Sequence, residues 1–252
     1  ANLVRSGESS AFTLFVLSDS FVDDIVQAEH ALADRLAKRW SNKISVVYRR
    51  RENNPGYKAG NIEDFCDRWG KDYDFALVLD ADSYMSAEAI LGLVRRMEAN
   101  PKLGILQSLV VGLPTDSAFA RIFQFGMRLG MRSYTIGSAW WQGDCGPYWG
   151  HNAIIRIAPF IQHCGLPTLE GRAPFGGEIL SHDFVEAALL RRAGWQAYLL
   201  TDTTGSYEEV PSNIVDYAIR DRRWVHGNIQ HLGLLNVKGL KMANRLHFLF
   251  GA

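Results

Sequence analysis

Strand-length apolar runs alternate with helix-length amphipathic stretches through the first hundred residues, and two of the strands run into carboxylates. Phe12-Thr13-Leu14-Phe15-Val16-Leu17 closes at Ser18-Asp19, and Leu77-Val78-Leu79 ends in Asp80-Ala81-Asp82. Between them lie a helical stretch over about 21–40, a strand at 44–48 and a helix through 58–69; Ile25, Ala28, Leu32 and Leu36 recur at three- and four-residue spacing in the first helix. A basic turn, Arg49-Arg50-Arg51, precedes Pro55-Gly56, and a further helix covers 87–99. That β-α-β-α-β-α order predicts an α/β protein with a mostly parallel, doubly wound sheet and flanking helices. Ligands of such sheets gather at the carboxyl ends of the strands, where Asp19, Asp80 and Asp82 fall.

The same grammar continues. A strand at 103–109 is followed by a helix over about 117–134, then by an aromatic, glycine-rich middle: Trp140-Trp141-Gln142-Gly143 and Tyr148-Trp149-Gly150-His151-Asn152. A short strand fits 153–157. Ser181-His182-Asp183 precedes a helix over 184–193 that Gly194 ends, and a strand fits 195–200. Arg220-Asp221-Arg222-Arg223-Trp224 falls on a helix. No repeat or linker divides the chain, so residues 1–252 read as one domain.

Composition excludes more than it selects. The 47% hydrophobic content suffices for a core, and the 27 basic residues equal the 27 acidic ones, so nothing marks a nucleic-acid binder. Cys66, Cys145 and Cys164 lack CxxC spacing and are odd in number, so neither a zinc knuckle nor a disulfide framework follows, and a reduced, cytosolic setting fits. There is no signal peptide and no apolar stretch of about 18 residues, so these residues do not themselves span a membrane. Residues 241–250 mix basic and bulky apolar side chains, as an interfacial amphipathic helix does and as a surface helix also can.

Asp80 and Asp82, one residue apart on a strand end, point the same way and suit Mg²⁺ or Mn²⁺ carrying a diphosphate. Alternatively one of them caps the helix that starts near Ser86. Asp183 is placed as an N-cap or as a general base, with His182 a bystander. Arg220, Arg223 and Trp224 on one helix face would hold a diphosphate and a sugar ring; a solvated basic turn with a core Trp is the plainer reading. Lys58-Ala59-Gly60-Asn61 puts a lysine at a helix start after a turn, without Walker A spacing. Arg49–Arg51 reads as a solvated turn.

In order and spacing, Asp19, Lys58-Ala59-Gly60-Asn61, Asp80-Ala81-Asp82, Asp183 and Arg223-Trp224 resemble the processive family 2 glycosyltransferases, the family of cellulose and hyaluronan synthases. Longer strings, among them Asn61–Cys66, Trp140–Gly143, Tyr148–Asn152, Pro174–Asp183 and Gly205–Glu209, are similar to the bacterial branch that builds osmoregulated periplasmic glucans. The resemblance runs from about Phe15 to the end. It implies a GT-A fold, here lacking the first strand, and inverting transfer of glucose from UDP-glucose to a β-glucan, with a β-1,2 backbone in that branch. Asp19 would contact uracil and Lys58 the nucleotide; Asp80 would bind UDP, and Asp82 with Asp80 the metal. Asp183 would be the base, Arg220 and Arg223 would hold the diphosphate, and Trp224, Gly150, His151 and Asn152 would meet the acceptor. The resemblance also implies the cytosolic face of the inner membrane, with residues 238–252 an interfacial segment leading to a transmembrane helix outside this chain.

Three departures stand out. Arg220 occupies the family's glutamine position, Ser20 stands where many relatives have a second Asp, and the chain starts after a Pro-x-Tyr-Asn-Glu-like loop. Alternatives are a related synthase with another linkage or donor, a non-catalytic UDP-sugar sensor and a nucleotidyltransferase releasing pyrophosphate.

Overall fold

The computed structural model describes residues 2–201 and 204–250. Its contacts divide the chain into two compact units, Ala1–Arg68 and Trp69–Ala252. In the first, β1 (Thr13–Ser18) pairs in parallel with β2 (Ser45–Arg50), in register from Thr13 opposite Ser45 to Ser18 opposite Arg50. The crossover helix α2 (Asp23–Trp40) has Asp23 and Asp24 in its first turn and Lys38 and Arg39 in its last, each sign where the helix dipole favours it. A short α1 (Asn2–Arg5) precedes the strands, and α3 (Tyr57–Trp69) follows them. Ile62, Phe65 and Cys66 form the buried face of α3, and Phe65 meets Phe15 of β1 edge-on at 4.9 Å.

The second unit is built on a four-stranded sheet in the order β3 (Phe75–Val78), β7 (Ala153–Arg156), β5 (Leu103–Gln107), β8 (Gln196–Leu199). β5 is buried at all five positions, as expected of a central strand covered on both faces. A smaller sheet pairs β4 (Ser83–Met85) with β9 (Ser206–Glu208), and β9 with β6 (Val111–Gly112). Helices α4 (Ala87–Ala99), α5 (Ala118–Gln142), α6 (Ile157–His163), α7 (His182–Arg192), α8 (Ile214–Gln230) and α9 (Met242–Phe250) complete the unit. Leu93 and Met97 of α4 pack on Leu103, Leu106 and Ile154 of the sheet; sealing each such side chain contributes about 1.5–3 kcal/mol. A second cluster joins Val185, Ala188 and Leu189 of α7 to Leu234, Leu240 and Phe248.

The α/β layering expected from the sequence is present: β1 and β2 are parallel, and each of the two sheets of the second unit has one strand opposed to the rest. β7 runs antiparallel to both β3 and β5, while β5–β8 and β6–β9 are parallel. Strand direction depends on where the connections deliver the chain, which periodicity does not encode. α5 runs eight residues beyond the expected 134, to Gln142, so Trp140 and Trp141 belong to its last turn. Of the 238–252 segment, Met242–Phe250 is helical, and residues 251 and 252 lie outside the described residues. No helix among the described residues is long and apolar enough to cross a membrane.

Candidate functional site

In the first unit, Asp19 is gripped at both oxygens by Arg51, Nε to Oδ1 at 2.7 Å and Nη2 to Oδ2 at 2.6 Å. Arg49 lies 4.0 Å from Asp19, and its Nε stands 2.9 Å from Asp64 Oδ2 as an ion pair. Both guanidiniums are buried, which corrects the expectation of a solvated turn. β2 continues through Arg50, and strand alternation turns Arg49 and Arg51 to the same side, where carboxylates compensate their charge. Arg51 also donates to the carbonyls of Pro55 and Tyr57, and Asn54 donates to that of Asp19, so the 51–57 loop is tied down. Lys58 is the second residue of α3. Gly60 is needed two residues later: a Cβ there would fall 2.0 Å from the Pro55 carbonyl oxygen.

In the second unit, β3 stops at Val78, so Asp80 and Asp82 are presented by a turn rather than by strand alternation. The Ser83 N–H donates to the Asp80 carbonyl at 3.1 Å, and the Asp80 N–H donates to Ser83 Oγ at 3.2 Å. Neither carboxylate caps α4; Ser86 does so, accepting from the Ala89 N–H. The Asp82 carbonyl accepts from the Glu209 N–H at 3.2 Å, and β9 runs beside β4. This pairing brings up Glu208. Burial pushes its carboxyl above the usual range; His151 and Arg220 pull it back, while Asp82 and Asp80 raise it further. His151 Nε2 lies 3.4 Å from Glu208 Oε2.

Asn152 holds this arrangement from beneath. It is fully buried at φ 49° and donates from Nδ2 to Ser206 Oγ at 2.9 Å and to the Tyr207 carbonyl at 3.1 Å. Its own carbonyl accepts from Ser108, whose hydroxyl also meets Ser206. Gln107 fixes the same turn, donating to the His151 carbonyl and accepting from the Trp149 N–H. Within Gly150-His151-Asn152, therefore, Asn152 spends its amide on the scaffold, and His151 is the side chain turned to the carboxylates.

Asp183 lies in the first turn of α7 and not ahead of it; the N-cap position belongs to Ser181. Asp183 Oδ1 accepts from the Phe184 N–H at 3.1 Å. The C-terminal end of α8 clamps the approach to it. Gln230 donates to the carbonyls of Gly176 and Glu178 and accepts from the Leu180 N–H. His231 Nε2 donates to the Ser181 carbonyl at 2.8 Å, since a carbonyl can only accept. Gly227 makes that approach possible, because a Cβ there would stand 2.2 Å from Ser181 Oγ. Nearby, Tyr148 is fully buried, and its hydroxyl has no hydrogen-bond partner among the described residues. Burial drives its phenol well above the usual range, and the charges of Glu186, Asp183 and Asp80 add to the shift.

Further along α8, the Arg220 guanidinium lies 4.5 Å over the half-exposed Trp224 ring and 5.6 Å from that of Tyr217. Arg223 lines a groove of about 550 Å³ with Pro174, Ile219, Arg222 and His226, which neither Asp183 nor the Asp80–Asp82 turn lines. The second unit thus gathers Asp80, Asp82, His151 and Arg220 around Glu208, with Asp183 and Asp80 both acting on Tyr148. In the sequence Glu208 and Tyr148 stand only within the Gly205–Glu209 and Tyr148–Asn152 strings, with no role attached. Adjacent acids after a strand-length run could have flagged Glu208; nothing local distinguishes Tyr148 from an ordinary core aromatic.

Known proteins resemble this chain in sequence and in fold. Residues 75–251 match the profile of the family described as "Glycosyl transferase family group 2". The chain is 48% identical over 246 residues to glucans biosynthesis glucosyltransferase H of Salmonella typhi, covering 98% of this chain and 29% of that protein. It is 47% identical over 249 residues to the protein of the same name from Shewanella baltica strain OS155, covering 99% and 34%. The chain therefore spans about a third of the length of the curated relatives it matches. Among solved structures, TarS of S. aureus superposes with a TM-score of 0.53 at 15% identity, over 98% of this chain and 39% of that one. A TarS 1–349 structure in complex with UDP-GlcNAc gives 0.51 at 13% identity, over 96% and 62%. At those identities the likeness is one of fold, the GT-A glycosyltransferase fold.

Proposed function

The chain belongs to glycosyl transferase family group 2 and is a glycosyltransferase, and from that premise we propose that it transfers glucose from UDP-glucose to a growing β-glucan with inversion. What supports this reading is the pairing of β9 beside the Asp80–Asp82 turn, which sets Glu208 and His151 next to it, in the unit whose α7 carries Asp183 in its first turn. Relatives 47–48% identical over nearly the whole chain are named as glucosyltransferases of glucans biosynthesis. The β-1,2 linkage of periplasmic glucans is the preferred product.

The donor set fits a divalent cation. Asp80 and Asp82 offer hard oxygen ligands from a turn, and Glu208 deepens the negative field there. Among the described residues no cluster of three His, Cys, Asp or Glu forms a protein-only cage. Mg²⁺ or Mn²⁺ would take Asp82 and Asp80 as ligands, with the remaining positions left to phosphate and water. Such an ion supplies charge neutralisation at the departing diphosphate.

Asp183 acts as the general base. It accepts the proton of the acceptor hydroxyl as that oxygen bonds to the anomeric carbon, while the bond from that carbon to the diphosphate oxygen breaks and UDP departs. Arg220 and Arg223 take up diphosphate charge, and Trp224 offers a flat face to the acceptor sugar. His151, on the turn that Gly150 and Asn152 shape, orients the acceptor side. Asp19 accepts an N–H from uracil, its charge already met by Arg51, and Lys58 serves the nucleotide. The setting is the cytosolic face of the inner membrane, with 238–252 at the interface.

The test is UDP release and glucan formation from UDP-glucose in native membrane vesicles carrying the protein, beside Asp183→Asn. We expect that change to lower turnover by roughly 10²–10⁴-fold while UDP binding persists. EDTA should stop the wild type, and linkage analysis names the product. Unchanged turnover in the variant, or binding lost with it, removes Asp183 from the role of base.

A further inference from the structure

Three hydroxyls converge on one carboxylate in the first unit. Glu29, half-buried on α2, accepts at Oε2 from Ser18 Oγ at 2.5 Å and from the Tyr48 hydroxyl at 3.0 Å. Its Oε1 accepts from Ser20 Oγ at 2.6 Å. Ser18 ends β1, and its Oγ also accepts from the Ser20 N–H at 3.1 Å, so the two serines close a tight turn against the same carboxylate. The residue between them is Asp19.

The turn is held from its other side as well. The Arg51 N–H donates to the Ser18 carbonyl at 3.0 Å, Asn54 Nδ2 to that of Asp19 at 2.7 Å and Arg50 Nε to that of Ser20 at 2.8 Å. Three consecutive carbonyls are thus fixed from β2 and the loop after it, and Glu29 fixes the flanking side chains from α2. Burial would raise the Glu29 carboxyl, but the bonds from Ser18, Ser20 and Tyr48, with His30 nearby, bring it below its usual range. Near neutral pH it is therefore ionised and can only accept.

We propose that Glu29 is a positioning residue for the nucleotide base: by holding Ser18 and Ser20 it fixes the chain on both sides of Asp19 and sets that carboxylate as the acceptor for a pyrimidine N–H. This deepens the proposed function and rests on its placing of Asp19 at uracil. A carboxylate fixed in one place accepts the N3–H of uracil, whereas the same ring position of cytosine is a lone pair and repels it. A carboxylate free to turn aside tolerates both bases. Glu29 therefore bears on the preference for UDP over CDP.

The experiment measures retention of labelled UDP, with CDP as competitor, by native membrane vesicles carrying the protein, beside kcat and KM for UDP-glucose. Glu29→Ala is compared with Ser18→Ala combined with Ser20→Ala, which cuts the same bonds from the other end. Each should weaken UDP by roughly tenfold, narrow the preference over CDP and raise KM with kcat little changed. Combining all three substitutions should weaken UDP no further, because the serines and Glu29 act as one unit. In an Asp19→Asn background, itself weakened toward UDP, Glu29→Ala should add nothing. The proposal falls if Asp19→Asn weakens UDP while Glu29→Ala leaves both affinity and base preference unchanged. It falls equally if Glu29→Ala weakens UDP as much in the Asp19→Asn background as in the wild type. Should Glu29→Ala not reach the membrane folded, the serine pair decides by the same criteria. If Asp19→Asn leaves UDP affinity unchanged, the uracil contact is wrong and the role of Glu29 falls with it.

Discussion

A carboxylate held at both oxygens by one guanidinium keeps lone pairs for a further N–H but has little charge left to offer a metal. Asp19 is in that state, with its side chain only 25% exposed. Arg51→Gln would leave it half-buried and poorly compensated while freeing the Pro55 and Tyr57 carbonyls. Removing one partner of a fully buried pair costs about 3–5 kcal/mol; with Asp19 partly solvated we expect about 2 kcal/mol of stability. On the proposed reading, UDP affinity drops about tenfold or more while turnover at saturating donor changes less. Calorimetric titration with UDP and a kcat-against-KM comparison check this. Unchanged affinity would make the pair purely structural.

Among the elements, α8 has two duties: its middle carries Arg220 and Trp224, and its end holds the segment leading to Asp183. Gly227 is the contact point. Gly227→Ala forces Cβ into Ser181, so α8 must shift; overpacking of this kind costs about 1–3 kcal/mol. We expect a lower urea midpoint together with lost activity, because the shift displaces Asp183 relative to Arg220. Ser181→Gly should recover part of both in the double variant, since Oγ and Cβ are removed but the backbone N–H, also close, remains. Additive losses in that cycle would mean the two positions do not press on one another.

For the whole molecule, buried histidines set an acid limit. Burial lowers His247 from 6.5 to about 4, and burial also lowers His231. As pH falls, the unfolded chain takes these protons first. The stabilisation from neutral His247 is complete above pH 6.5 and drains away between 6.5 and about 4, by up to about 3 kcal/mol. His247→Leu should flatten the urea-midpoint profile over that window, with His231 leaving a residual slope of the same sign. An unchanged profile would show that His247 protonates without unfolding the α9 contact.

Period and punctuation were enough to locate β1, α2, β2 and α3, the helix at 87–99, the presence of a helix through Arg220–Trp224, and the α/β class, because each is written in local spacing. The motif residues of the glycosyltransferase resemblance were legible for the same reason. What tertiary structure decided is which groups share charge and space. Arg49 and Arg51 became buried partners because β2 runs past Tyr48 and carboxylates meet them there. The Asp80–Asp82 pair sits on a turn because β3 stops at Val78, and Glu208 joins them through β9–β4 pairing across more than a hundred residues of chain. β7 chose its direction, Tyr148 its fully buried place and α5 its outward apolar face through long-range packing, which no local period records.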